Sequence, residues 1–355
     1  MTEKGTKTHR KKRALYAGGG AFFLIFGFLV WLGLALYLPN PGNPNRKIPV
    51  MIEKGANARE IAHILKEKHL ISRVDHFLVA VKIFGAKTKL KAGFYQLPQN
   101  VSNARLIALL EKGEAAEIKV SIPEGLRSEK IAGIFQRKVG LDSARFLALV
   151  RDTAFVHELG VSANSLEGYL FPDTYFFAYG VKAPLVLRTL VSHFWRVFND
   201  SLKARTRKMG WSVHQVVTLA SIIEGEARVD SERALISAVY HNRLKRGMLL
   251  QASPTIQFLL PDGPRRLLKR DLQIDSPYNT YRYPGLPPGP INNPGKKSIL
   301  AALYPAPVKY LYFVANGDGT HTFSYTLAQH LKAKRRLDRI RRAYYRKLRL
   351  SKKKS

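Results

Sequence analysis

Thr218–Ala227 reads TLASIIEGEA, inside a longer apolar-periodic run that begins near Trp211. Val216, Leu219, Ala220, Ile223 and Ala227 recur at the three- and four-residue spacing of one helix face. Ser212 is a residue type that caps a helix start, because its side-chain oxygen accepts an orphan backbone N–H. The stretch therefore predicts a helix whose apolar face enters a core. Glu224 falls at the edge of that face, on the row of Val217 and of Ala220 and Ser221. Partly apolar surroundings disfavour a charged carboxylate. A carboxyl that keeps its proton near neutral pH can protonate a leaving oxygen. A second reading stands beside this one: a half-buried Glu paired with Arg228, one turn on. Glu226 lies about 200° round the helix from Glu224, at about 100° per residue. The two are therefore not a catalytic pair, and Glu226 reads as a surface or ion-pairing group.

Working outward, Ser231–Arg246 predicts a second helix that closes at Gly247, a natural residue just past a helix end. Beyond it the chain is turn-rich and β-like, with Gln251, Ser253 and Thr255 at the start of an expected strand. Asn316-Gly317-Asp318-Gly319, between YLYFVA and HTFSY, is a strong hairpin signal. These parts make residues 211–331 a candidate catalytic domain, followed by a basic tail at 332–355. Residues 136–210 read as a helical connecting region. It is interrupted by SLEGYLFPDTYFF, Ser165–Phe177, which is either a packed strand and turn or an aromatic wall of a sugar groove.

Upstream, a strand–turn–helix pattern occurs three times, at 50–65, 95–110 and 120–135. Asn57, Asn103 and Ser128 are the expected helix starts. Unequal spacing argues against a solenoid and for a small module over 48–135. The fold class is α+β. Residues 39–47, PNPGNPNRK, form a linker that cannot continue a helix. Ala14–Leu38 contains no charged residue. As a helix these residues would span roughly 37 Å, enough to cross a hydrocarbon core of about 30 Å. We expect an uncleaved transmembrane helix, with the basic residues 1–13 cytoplasmic and everything after Leu38 outside.

The chain carries 59 Lys+Arg against 25 Asp+Glu, a formal net charge of +34. That balance implies an anionic surface or partner. The absence of cysteine excludes disulfides, thiol catalysis and thiolate metal sites. No His/Asp/Glu cluster has metal-ligand spacing and no Gly-rich loop has phosphate-binding form, so neither a metal nor a cofactor is expected. A nucleic-acid partner is disfavoured, because the basic surface would lie outside the cytoplasm and no recognisable motif is present.

A hydrolytic glycosidase generally needs two carboxylates. Asp230 and Glu232 follow the central helix without a clear catalytic context. A one-carboxylate site fits a transfer in which a hydroxyl of the substrate attacks the anomeric carbon, one Glu serving first as acid and then as base. Polar side chains that could meet a sugar are Asn242, Gln251, Ser253, Tyr278, Asn279, Thr280, Tyr281 and Asn292. For each, a structural role in a turn, cap or packed loop remains open. His321 is a further polar group with the same ambiguity.

The segment LASIIEGEA…SERALISAVYHNRLKRGMLLQASPTIQF, then YNTYRYPGLPPGPINNPG and YLYFVANGDGTHTFS, resembles the endolytic murein transglycosylase, or YceG-like, family. The resemblance covers nearly the whole chain, including the single N-terminal anchor, a LysM-like module and the LEGYLFPDTY stretch. It implies that Glu224 is the catalytic acid/base. It implies cleavage of the MurNAc–GlcNAc β-1,4 bond within nascent glycan strands, leaving 1,6-anhydroMurNAc ends and limiting strand length. Implied partners are peptidoglycan glycan strands, the cell inner membrane and peptidoglycan synthases, with the catalytic domain periplasmic. The rival expectation is a non-catalytic peptidoglycan-binding scaffold in which Glu224 is structural.

Overall fold

Several helices in this chain begin where a side chain satisfies the first free N–H groups, among them those capped by Asn57, Ser102, Asp142, Asp152, Asn199 and Ser212. Asn57 accepts from the N–H groups of Arg59 and Glu60, and Glu60 returns a bond to the Asn57 N–H. In the computed structural model, residues 24–113, 117–261, 263 and 265–351 are described. Among the described residues the fold is a mixed α+β one with three two-stranded sheets.

One compact unit runs to Ile118 and takes in Phe176–Gly180. Its elements are helix α1 (residues 24–37), β1 (Lys47–Ile52), α2 (Ala58–Glu67), α3 (Val74–Ile83), β2 (Gly93–Pro98) and α4 (Asn103–Lys112). β1 and β2 pair antiparallel from Lys47↔Pro98 to Ile52↔Gly93. Val50, Ile52, Tyr95 and Leu97 alternate inward and are buried against Ile61 and Leu65 of α2 and Leu106 and Leu110 of α4. The α4 cap is Ser102, one residue before the expected Asn103. Asn103 is instead buried and donates to the carbonyl of Ala35 near the end of α1. The expected linker is also tied down. Asn40, 5% exposed, donates to Val101 O and Asn103 Oδ1 and accepts from the Ser72 N–H. Of the apolar run expected to cross a membrane, residues 14–23 lie outside the described residues. Among the described residues, no helix is long and apolar enough to cross one.

The second unit comprises Lys119–Tyr175 and Val181 onward. It contains most of β3 (Ile118–Ser121), then α5 (Ser128–Val139), α6 (Ser143–Val150), α7 (Thr153–Glu158) and the start of β4 (Thr174–Phe177). After these come α8 (Ala183–Val197), α9 (Asp200–Lys208), α10 (Val213–Glu226), α11 (Arg233–Lys245), α12 (Ser253–Leu259) and α13 (Lys296–Leu303). The hairpin β5 (Tyr312–Ala315) and β6 (His321–Ser324) and the long α14 (Leu327–Ser351) complete it. The β5–β6 turn falls on the expected Asn-Gly-Asp-Gly, with positive φ at Gly317 and Gly319. The strand expected at Gln251–Thr255 is corrected to helix α12. Pro254 stands in its first turn, where the fixed proline φ favours a helix and no N–H is needed.

The organising element is α10. Ser212 caps it through a reciprocal pair with Gln215, at 3.1 and 2.8 Å. The expected single apolar face is an underestimate: Val216 through Ile223 are all buried, eight residues in a row. α9, α11, α12 and α13 all pack against it. Burying each Val, Leu or Ile side chain here contributes about 1.5–3 kcal/mol. Glu224 is therefore presented from a rigid, fully sheathed rod.

Candidate active site

α10 ends at Glu226, and Ala227 has left helical geometry with φ −72° and ψ 124°. Arg228 thus departs from the helix row that would have faced Glu224. The chain instead doubles back through a short 3-10 turn at Asp230–Glu232 and brings Arg233 to Glu224. Arg233 Nη1 donates to Glu224 Oε1 at 3.0 Å. The backbone N–H of Gly295, at the start of α13, donates to Glu224 Oε2 at 3.0 Å. Both carboxylate oxygens are therefore gripped, and the side chain is 6% exposed. Arg233 is itself fixed by Asp230 through Nε at 3.0 Å and by Ser298 Oγ. Lys297 closes the ring as a partner of Asp230. Those bonds hold the Asp230 carboxyl below its ordinary range, the Lys297 bond first and the Arg233 bond second.

Glu226, expected to be a surface or ion-pairing group, is half-buried and hydrogen-bonded. Its carboxyl accepts from the Tyr240 OH at 3.3 Å and the Ser253 N–H at 3.1 Å. Burial pushes it up to about 6, opposed by His321, by those two donors and by Arg228. Its partners are different from those of Glu224, so the two carboxyls serve different neighbourhoods, as the helix angle implies. Glu232 is held by His321, whose Nδ1 lies 2.7 Å from Glu232 Oε2 and whose N–H donates to Oε1 at 2.9 Å.

A hundred residues upstream, the turn after β3 delivers a carboxyl that sequence reasoning did not single out. Asn293 N–H donates to Leu126 O at 3.0 Å and Gly125 N–H to Asn293 O at 2.9 Å, a two-bond antiparallel bridge. That bridge lays Gly125 over the Glu224 side chain: a Cβ on Gly125 would stand 3.4 Å from Glu224 Cγ. It also seats Glu124 against Gly295, where a Cβ on the glycine would overlap the Glu124 carboxyl. Burial raises the Glu124 carboxyl above its ordinary range, and the charge of Glu224 adds to that, against Arg233 and Lys297. The only sequence signal was the Pro-Glu-Gly turn of the third strand–helix copy, which reads as architecture.

Asn293 also organises the SLEGYLF stretch. Its Oδ1 accepts from the N–H groups of Gly168 and Leu170, both at 2.9 Å, and its Nδ2 donates to Leu126 O and Glu167 Oε1. Tyr169, Leu170 and Phe171 are buried, so this stretch packs as a strand and turn. Glu167 Oε2 accepts from Ser128 N–H at the start of α5, and burial pushes the carboxyl up to about 7.

The remaining sequence candidates divide by surroundings. Asn292 Nδ2, which lies near Gly225, donates to Ser221 O at 2.9 Å, while its Oδ1 is buried without a partner. Tyr278 packs on Phe258, ring centroids 4.9 Å apart, and both line a groove of about 450 Å³ with Arg127, His214 and Pro290. Ser253 Oγ and Tyr281 OH are 3.3 Å apart beside Glu226. Thr280 is buried, with Oγ1 between Thr255 Oγ1 and Ala252 N–H. Asn279 is buried and spends its amide on Leu272 O, Ile274 O and Tyr281 N–H. Gln251 has φ 50° and is exposed. Asn242 clamps Val308 O and Tyr310 O, both at 2.9 Å. No cluster of metal-ligand type occurs among the described residues.

A family model described as the YceG-like family matches residues 50–336. A protein of Bacillus subtilis (strain 168) named endolytic murein transglycosylase is 33% identical over 327 residues, covering 88% of this chain and 90% of that protein. A protein of the same name from Streptococcus pneumoniae (strain D39) is 31% identical over 337 residues. That match takes in 85% of this chain but 59% of the longer relative. A 2.6 Å crystal structure of a YceG-like protein from Listeria monocytogenes superposes with a TM-score of 0.60 at 35% identity, over 81% of this chain and 98% of that one.

Proposed function

We propose, on the premise that this chain belongs to the YceG-like family, that it cuts peptidoglycan glycan strands internally as a transglycosylase. The observation that carries the reading is the double grip on Glu224, by Arg233 on one oxygen and Gly295 N–H on the other. A proton carrier must hold one orientation towards the reacting oxygen, and such a clamp supplies it. In the chemistry we assign, Glu224 gives its proton to O4 of the departing GlcNAc as the C1–O4 bond of MurNAc breaks. The MurNAc O6 then closes on C1, its proton returns to Glu224, and a 1,6-anhydro end is left. No water is consumed.

Substrate contacts fall to Asn292 and Tyr278. The buried, unpartnered Asn292 Oδ1 accepts a hydrogen bond from a sugar N–H or O–H, because an unpaired buried acceptor is costly. Tyr278 and Phe258 offer ring faces along the groove. The strand–helix units of the first compact unit, residues 48–118, serve as the LysM-like module on the same glycan, while the third copy at 120–135 belongs to the unit that carries Glu224. Residues 14–38 anchor the chain in the inner membrane with the basic N-terminus cytoplasmic, so the folded units work in the periplasm beside peptidoglycan synthases. Protease added to spheroplasts should then remove the folded units and leave residues 1–13 protected. Full protection of the whole chain would rule out that topology.

The test of the activity compares full-length protein in detergent with Glu224→Gln on uncrosslinked peptidoglycan, with fragments weighed by mass spectrometry. Anhydro-ended fragments from the wild type alone are expected. Reducing ends would make the protein a hydrolase, and equal inertness of both proteins would make it a scaffold.

A further inference from the structure

Glu124 is the one charged group at the Glu224 site whose carboxyl has no cation bonded to it among the described residues. Arg233 is committed to Glu224, Asp230 and Ser298, and Lys297 to Asp230. Yet Glu124 and Glu224 meet at one residue: Gly295 donates its N–H to Glu224, and its Cα side faces the Glu124 carboxyl so closely that a Cβ would not fit. Gly125 holds the approach, with room for ordinary contact against Glu224 Cγ. The charged groups facing Glu124 are Glu224 from α10, Asp230 from the 3-10 turn, Arg233 from α11 and Lys297 from α13.

A carboxyl that faces only a guanidinium favours its ionised form, and an ionised carboxylate has no proton to give. Two carboxyls that converge on one buried residue behave otherwise, since the charge of one disfavours ionisation of the other and the pair holds a proton more readily. We propose that Glu124 is the proton-sharing partner of Glu224, a positioning residue that keeps one proton on the pair so that Glu224 can act as the acid. The inference rests on the reading of Glu224 as acid/base. The proton passes from the pair to O4 as C1–O4 breaks, and the O6 proton returns to the pair as C1–O6 forms. The pair ends with one proton, as it began, and nothing is oxidised or reduced. The upward displacement of Glu124, from burial and then from the charge of Glu224, agrees with this arrangement.

The experiment uses the full chain in detergent and follows anhydro-end formation against pH for the wild type, Glu124→Gln and Glu124→Asp. Glu124→Gln should lose at least tenfold in kcat near neutral pH with KM within twofold, and the alkaline limb of its profile should move to lower pH. Glu124→Asp should recover most of the rate and leave the limb near its wild-type position. An unchanged rate and profile in Glu124→Gln overturns the proposal. So does a uniform loss with the limb unmoved, which is what a purely structural residue gives. A second measurement needs no turnover: the carboxyl ¹³C shift of Glu124 is titrated in the wild type and in Glu224→Gln. Its midpoint should fall in the variant, and an identical midpoint overturns the proposal. If Glu224→Gln cuts glycan as fast as the wild type, the acid/base reading itself fails. If Glu224→Gln is inert while Glu124→Gln is unaffected, only the present inference fails.

Discussion

Arg233 Nη1 stands 3.0 Å from Glu224 Oε1, and the two side chains are 10% and 6% exposed. The same guanidinium reaches Asp230 and Ser298, so one planar fork holds three partners. Lysine keeps the charge but not the fork. Arg233→Lys should reduce anhydro-end formation at least tenfold while the protein stays folded. Arg233→Ala leaves a buried carboxylate without its partner and should cost about 3–5 kcal/mol in chemical denaturation. A fully active Arg233→Lys would show that the clamp is dispensable.

Gly225 follows Glu224 at the point where α12 crosses α10. A Cβ there would stand 2.7 and 2.9 Å from Cβ and Cγ of Pro254, a ring that cannot swing aside. Gly225→Ala should therefore push α12 away and destabilise by about 1–3 kcal/mol, with a loss of activity larger than the unfolded fraction explains. Denaturation midpoints and turnover measured on one preparation check both parts. A stabilised or neutral variant would mean that the two helices part without cost.

Glu167 gives stability a pH dependence of defined sign. Burial holds its carboxyl at about 7, against an ordinary value of 4.5. Between those values the folded chain keeps a proton that the unfolded chain has lost, so stability falls as pH rises through that window. The span is on the order of 3 kcal/mol. Glu167→Gln should flatten this slope, at a pH-independent cost from placing an amide NH₂ against the Ser128 or Asn293 donor. Glu226, raised to about 6, contributes a slope of the same sign that the variant retains. The difference between the two denaturation series from pH 4.5 to 7.5 isolates Glu167, and parallel series would refute the assignment.

Asn242 separates a structural role from a substrate contact. Its amide clamps Val308 O and Tyr310 O, so Asn242→Ala should cost about 1–3 kcal/mol in stability. Its kcat and KM per folded molecule should match the wild type. A raised KM with unchanged stability would place Asn242 on the glycan instead.

The sequence carried the local signals well. Ser212 with Gln215, the asparagine–glycine hairpin and the closing Gly247 are all decided by residues a few positions apart. Where long-range packing decides, the chain was not legible. Arg228 looked like the partner of Glu224 because four residues make one helical turn, but the helix stops at Glu226 and hands the role to Arg233. α10 presented an apolar stripe, yet four helices sheath it all round, and its polar Thr218 and Ser221 are absorbed by bonds to His214 O and Thr218 O. Glu124 could not be linked to Glu224 from sequence, since the bridge between Leu126 and Asn293 spans 167 residues. The β-like residues around Gln251–Thr255 favour a strand, and the proline at the helix start outweighs them.

The buried Asn40 changes what the first unit can do. Nine residues of free chain, 38–46, would grant roughly 30 Å of slack. With Asn40 bonded to Val101, Asn103 and Ser72, and with Asn103 bonded in turn to Ala35, that slack is gone. The first unit therefore does not sweep a volume on a leash. It is locked to the end of α1, so helix, connecting segment and sheet turn together as one piece.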